Sequence, residues 1–227
     1  MTGGLFAYPQ KAAFGRVLPK AKVYAFGKAT RRLRNLFAAE VNQIVWRFKL
    51  APGTINLPAA PGVAEIQVFG VELKPGMDEV SEDILHCIDA AIPFPIIFEV
   101  TTPAGARDRV KVVAAYKRPS DADSSKWVIG DYFSTAWLPA NTTRSPLPVA
   151  LSLAGLYEQM LRQLMPIWAR PGESLQALAD RHRSTAMERC EFEKLEGQLK
   201  REKQFNRKVE LNARLRSIRA ALDALTS

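Results

Sequence analysis

The sequence predicts an α+β fold: a mostly antiparallel sheet of about five strands flanked by helices, followed by a long C-terminal helical extension, either a hairpin or a coiled coil. Three observations point there. Between residues 65 and 137, short apolar runs, several alternating with polar residues, are divided by turns rich in Pro, Gly and Ser. Residues 30–50 and 151–164 place apolar side chains three and four apart, the period of a helix. Beyond Gly172 there is no proline, and the one further glycine is Gly197, so little there can end a helix. The boundary falls after residue 147. Residues 1–147 form an α+β core with a basic lead-in, and 148–227 form a helical region with a basic heptad tail.

Each element has its own signals. Residues 1–28 mix Gly, Pro and basic residues with aromatics, and end in an extended piece at 22–26. Thr30 is placed to cap a helix over 30–50, in which Leu33, Phe37, Val41, Ile44 and Phe48 share one face. Ala51-Pro52-Gly53 ends it, and a short extended 54–57 follows. The strand at 65–74 alternates Ile66 and Val68 with a slip at Phe69-Gly70, which reads as a bulge before Val71 and Leu73. A short helix over 79–91 turns Val80, Ile84, Leu85 and Ile88 inward. Strands at 95–101 and 109–116, joined through Thr102-Pro103-Ala104-Gly105, form a hairpin. A polar loop over 119–125 leads to a last strand at 127–137. Leu151, Leu153, Leu156, Tyr157, Leu161 and Leu164 describe a helix that packs on the sheet, closed by Pro166 and Pro171-Gly172. The tail is one helix or a pair. If it folds back, the corner lies at Gly197 or near Gln204. Leu211, Leu215, Ile218, Leu222 and Leu225 form a heptad seam that must be buried on something, whether the other arm of a hairpin or another chain.

Composition narrows the chemistry. The 227 residues carry a net charge of +9 and a pI near 9.7, which suits an anionic partner. The charge is local: residues 200–219 hold eight Lys/Arg against two acids, +6 of the +9. Cys87 and Cys190 stand far apart, which argues against a disulfide framework and for a reducing cytosol. His86 and His182 belong to no ligand-spaced cluster, so a zinc site is not expected. No phosphate-binding loop is present, since Gly3-Gly4 and Gly27-Lys28-Ala29-Thr30 lack the glycine spacing. The N-terminus does not read as a signal peptide. The most apolar stretch, 92–100, is interrupted by Pro93 and Pro95 and is too short to span a membrane.

Two constellations compete for a function. Glu65, Glu72 and Lys74 place Glu-x-Lys at the end of a strand, the order in which restriction-type nucleases set Mg²⁺ ligands beside a lysine. The aspartate that such a site needs upstream is missing: no Asp precedes Lys74. Mg²⁺ is implied only on that alternative, and no other cofactor is expected. The second constellation is the basic tail, where Lys200, Arg201, Lys203, Arg207, Lys208 and Arg214 are candidate nucleic-acid contacts. There the seam from Leu211 to Leu225 is a candidate partner-binding face, in a homodimer or with another protein. A second basic group, Lys20, Lys22, Arg31, Arg32, Arg34, Arg47 and Lys49, lies near Tyr24 and Trp46.

Several runs together resemble the bacterial domain-of-unknown-function family 4391. They are Lys20-Ala-Lys22-Val-Tyr24, Trp46-x-x-Lys49-Leu50, Thr54-Ile55-Asn56-Leu57, Glu65-Ile66-Gln67-Val68-Phe69, Ile92-Pro93-x-Pro95-Ile96-Ile97-Phe98, Ser134-Thr135-Ala136-Trp137, Leu156-Tyr157-Glu158-Gln159 and Lys203-Gln204-Phe205-Asn206-Arg207-Lys208. The resemblance spans nearly the whole chain. It implies a bacterial or phage-borne cytosolic protein encoded beside helicases and DNA methyltransferases in restriction-like or antiphage clusters, and it brings no catalytic residues. The expectation is a non-catalytic, DNA-associated subunit of a bacterial defence complex that docks a helicase-type partner. The alternative is the metal-dependent nuclease.

Overall fold

The computed structural model describes residues 4–103, 108–120, 122–123 and 126–226. The chain divides into two compact units, Met1–Pro166 and Ile167–Ser227.

The first unit is built on a seven-stranded sheet with helices packed on it, the α+β class expected. Its elements run β1 (Phe6–Ala7), β2 (Ala13–Val17), α1 (Lys20–Phe26), α2 (Arg31–Glu40), β3 (Val41–Leu50), α3 (Pro52–Ile55), β4 (Ile66–Leu73), α4 (Glu82–Ala91), β5 (Ile96–Thr101), β6 (Arg109–Pro119), β7 (Trp127–Ser134), β8 (Leu138–Pro139), β9 (Ser145–Pro146) and α5 (Leu153–Arg162). The sheet order is β2-β3-β4-β5-β6-β7, with β8 on β6; β1 and β9 form a separate parallel pair. All neighbours in the sheet are antiparallel except β4 and β5, which α4 joins by a parallel crossover. Ala104 and Gly105 of the expected β5–β6 turn, and Asp121, Ser124 and Ser125 of the polar loop, lie outside the described residues.

One face of the sheet carries the main core. Phe69, Val71, Leu73, Ile96, Phe98, Val100 and Val113 meet Val23 of α1, Phe37 of α2, and Ile84, Leu85 and Ile88 of α4. Val68, Ile97, Val112 and Ala114 alternate with them and are buried too, so both sides of the sheet are covered. α5 packs on β6, where the Tyr157 hydroxyl donates to the Ala115 carbonyl (2.5 Å) and accepts from the Lys117 amide (3.0 Å). The helix grouped by sequence with the C-terminal region thus falls within the first unit, and the units divide after Pro166.

The structure corrects four local expectations. The helix capped by Thr30, whose hydroxyl accepts from the Leu33 amide, stops at Glu40, and residues 41–50 are a strand. Its apolar run of Val, Ile, Trp and Phe suits a strand, and both of its edges are paired. The bulge expected at Phe69-Gly70 sits on the neighbouring strand. The β3–β4 register slips at Asn42 and at Arg47, while β4 pairs with β5 without a break. Residues 22–26 are helical rather than extended, because α1 runs on from Pro19 and closes when the Gly27 amide donates to the Val23 carbonyl. Residues 54–57 are not a strand: α3 is a single turn ending at Asn56, which is left-handed at φ 56°.

The second unit is a helical hairpin. α6 (Leu175–Arg201) and α7 (Phe205–Thr226) pack together, and Glu202-Lys203-Gln204 is the corner between them. The Ser174 hydroxyl caps α6 by accepting from the Ala177 amide. Gly197 lies inside α6 and does not break it.

Candidate nucleic-acid interface

The structure does not bring Glu65, Glu72 and Lys74 together. Glu65 precedes β4 and Glu72 lies near its far end, seven residues on, or roughly 23 Å along an extended strand. An odd separation also turns the two onto opposite faces. Each is otherwise engaged. The Glu65 carboxylate is paired with Lys49 at 2.6 Å and accepts from Gln67 Nε2 at 2.5 Å. Glu72 accepts from Asn42 Nδ2 at 3.0 Å. Lys74 Nζ donates to the Ala38 carbonyl, and Lys20 Nζ donates to the carbonyls of Phe37 and Val41. Two lysines thus serve the carbonyls left over where α2 ends, an ordinary duty of cations at a helix C-terminus. Burial and the neighbouring Lys74 charge lower the Lys20 pKa. Among the described residues no group of three His, Cys, Asp or Glu could hold a metal ion.

The rest of the N-terminal basic group is also mostly engaged. Arg47, in its bulge, reaches across Gly70 to Glu99 at 2.8 Å; a Cβ on Gly70 would lie 2.4 Å from Arg47 Nε, so the glycine keeps that path open. Arg144 completes the cage, with 2.6 and 3.0 Å contacts to a Glu99 carboxylate that is fully buried. Arg34 donates to the Ala29 carbonyl and lies over the Tyr24 ring. Trp46 stacks on Phe69 in the core, and its indole donates to the Phe48 carbonyl.

A second buried polar centre lies between α4, β6 and β7. Lys117 and Asp89 form an ion pair at 3.5 Å with both side chains 1% exposed. Lys117 also donates to the Asp89 and Ile92 carbonyls, and the Tyr132 hydroxyl donates to Asp89 Oδ2 at 2.6 Å. Burial raises the Asp89 pKa to about 6, against the pull of Lys117 and Tyr132; burial lowers that of Lys117. The sequence reading singled out none of Asp89, Glu99, Lys117 and Arg144. The only available signal was an acid or a lysine inside an otherwise apolar strand or helix, as in Ile-Ile-Phe-Glu-Val.

The hairpin holds the remaining predicted residues. The apolar seam faces α6 within the same chain: Leu215 is buried, and Leu211, Ile218, Leu222 and Leu225 are half-buried. The hairpin reading of the tail therefore accounts for the seam without a second chain. Arg181 fastens the open end. Its guanidinium takes both oxygens of Glu173 at 2.8 and 2.7 Å and donates to the carbonyls of Trp168 and Leu225. Those hydrogen bonds hold the Glu173 carboxyl down at about 2.

The basic candidates gather at the closed end. Lys200, Arg201, Lys203, Arg207 and Lys208 are exposed and form no ion pair within 4 Å among the described residues, whereas Arg214 is paired with Glu191 at 3.2 Å. Between the arms lies an open groove of about 720 Å³ whose lining sets Lys194, Arg201, Arg207 and Arg214 among Glu193, Glu202 and Glu210. The corner carboxylate of Glu202 is already satisfied: it accepts from the Gln204 and Lys203 amides, which lower its pKa. The Arg207 and Lys208 charges also help to lower it.

A mixed sheet with helices on it, followed by a basic helical hairpin, defines an α+β protein with a helical appendage. The sequence profile of the family described as "Domain of unknown function (DUF4391)" matches residues 6–222, and the chain belongs to that family. No curated protein and no solved structure matches. Among the described residues, no helix is long and apolar enough to cross a membrane.

Proposed function

We propose that this protein is a cytoplasmic, non-catalytic accessory subunit of a bacterial antiphage or restriction-like complex, and that the closed end of its hairpin contacts nucleic-acid phosphates beside a helicase-type partner. One observation supports this above the others. Five cations, Lys200, Arg201, Lys203, Arg207 and Lys208, stand exposed on a helical hairpin, with no ion pair within 4 Å among the described residues. A solvated helix face normally mixes signs and pairs them along the helix, as Arg183 and Asp180 do at 3.7 Å on α6. These five cations depart from that pairing in a chain whose net charge is +9. The defence setting and the helicase partner rest on what the family resemblance implies about neighbouring genes.

The test is charge reversal of those five residues to Glu in the full-length chain. Binding to labelled DNA is measured by anisotropy across a salt series, and co-purification with the neighbouring operon protein is scored. Wild type is expected to bind with a steep salt dependence, the slope of log K against log salt becoming shallower by about 0.7–0.9 for each phosphate contact removed. The variant is expected to lose both binding and co-purification. Equal binding and equal co-purification by the two proteins would remove the proposal.

A further inference from the structure

Along α7, Phe205, Lys208, Val209, Asn212 and Arg216 occur at i, i+3, i+4, i+7 and i+11, one face of a helix, and all five are exposed. This stripe lies away from the seam that packs on α6. Phe205, at the first turn of α7, is 78% exposed, and Val209 is 50% exposed. Isolated exposed hydrophobics are common on protein surfaces. Here cations flank the phenyl ring in sequence: Lys203 precedes it at the corner, and Lys208, three residues on, shares its face. The stripe itself contains no acid, and from Phe205 to Arg216 it runs about 16 Å along the axis. The Asn212 amide donates to the Lys208 carbonyl at 2.9 Å, which leaves its oxygen as an acceptor.

The geometry points to single-stranded nucleic acid as the ligand of this face, an inference that rests on the phosphate-binding reading above. A duplex offers the stripe phosphates, sugars and the base edges in its grooves, but its base faces are stacked on one another. A phenyl ring there finds no free base face to stack on. An unpaired strand supplies both halves of the pattern: phosphates for Lys203, Lys208 and Arg216, and a free base face for Phe205. Stacking on an aromatic ring is indifferent to base identity, so little sequence preference is expected. Single-stranded DNA and RNA share this chemistry.

The experiment uses the full-length protein with mixed-sequence oligonucleotides of roughly 30 nucleotides: single-stranded DNA, single-stranded RNA and the DNA duplex. Wild type is compared with Phe205→Ala and Phe205→Trp. Phe205 is exposed, so circular dichroism is expected to show both variants folded with an unchanged Tm. Wild type should prefer at least one single strand over the duplex by about tenfold or more, and the single strand preferred names the source. Phe205→Ala should weaken that binding roughly 5- to 100-fold with duplex binding unchanged, and Phe205→Trp should retain it. Duplex binding as tight as single-strand binding, or Phe205→Ala binding single strands like wild type, would overturn this inference and leave phosphate contact standing. Failure of wild type to bind any of the three would overturn both readings and return the exposed phenyl to contact with a protein.

Discussion

Replacing Lys117 by Met converts a buried ion pair into a lone buried carboxyl, and the consequence depends on pH. In the wild-type chain Asp89 titrates near 6, above the ordinary 3.8, because burial disfavours its charge; the ammonium of Lys117 is the largest influence opposing that rise. A raised acid favours folding fully below the unfolded value and loses that contribution as pH climbs through the folded one. For Asp89 the loss is about 3 kcal/mol, complete by about pH 7. Without the ammonium, Asp89 must titrate higher still. The variant then goes on losing stability through neutrality, by up to about 1.4 kcal/mol per pH unit. Breaking a pair in which both side chains are 1% exposed costs about 3–5 kcal/mol in all, part of it the two carbonyls of Asp89 and Ile92 left without their donor. His86 and Tyr132 also act on Asp89 and are left in place. Urea titrations at about pH 5, 7 and 8.5 measure the difference. A deficit that widens with pH, and that Asp89→Asn in the same chain makes level, is the expected result. A deficit equal at every pH would refute the assignment of the pair, and no deficit would refute its contribution altogether.

Two further perturbations bear on the scaffold. Gly27→Ala should lower the stability of the first unit by about 1–3 kcal/mol in thermal unfolding, because the new methyl would stand 2.6 Å from both the carbonyl and the sulfur of Cys87, and the carbonyl is backbone that cannot swing aside. Arg181→Lys should loosen the open end of the hairpin, since a lysine cannot reproduce the two-oxygen grip on Glu173 together with the Trp168 and Leu225 carbonyls. Hydrogen exchange of the α7 amides after residue 218 should quicken at least tenfold, with the sheet amides unaffected.

The fold class was readable because period-2 and period-3.6 patterns dominate most elements. The failure at 41–50 has a physical cause. A bulge at Asn42 places the inward residues Val41 and Ile44 three apart, so a bulged strand imitates a helix in its spacing. The hairpin was legible as an alternative, because the leucine seam had to be covered and Gln204 marked a place to turn; Gln204 does close the corner. The basic end was legible because charge is written directly in sequence. What stayed hidden were the partnerships across it. Glu65 and Glu72 lie seven positions apart in a chain that holds them straight, while Glu99 meets Arg47 and Arg144 across 52 and 45 residues. Nothing local in the sequence announces such a meeting.

The three-residue corner has a thermodynamic consequence. It sets the C-terminus of α6 beside the N-terminus of α7. Lys200 and Arg201 complement the first of these ends, where a helix is partially negative. Lys203, Arg207 and Lys208 crowd the second, where a helix is partially positive, and the first turn of α7 contains no acid. Each cation there opposes folding by about 0.3–1 kcal/mol at low salt. The hairpin is therefore less stable than a neutral version of itself would be. Arg207→Gln and Lys208→Gln together should raise the hairpin's Tm while weakening its hold on polyanions, a trade between endurance and affinity of the kind found where a surface is kept for use. If both properties fall, the cations are structural after all. If stability rises alone, the charge has no ligand.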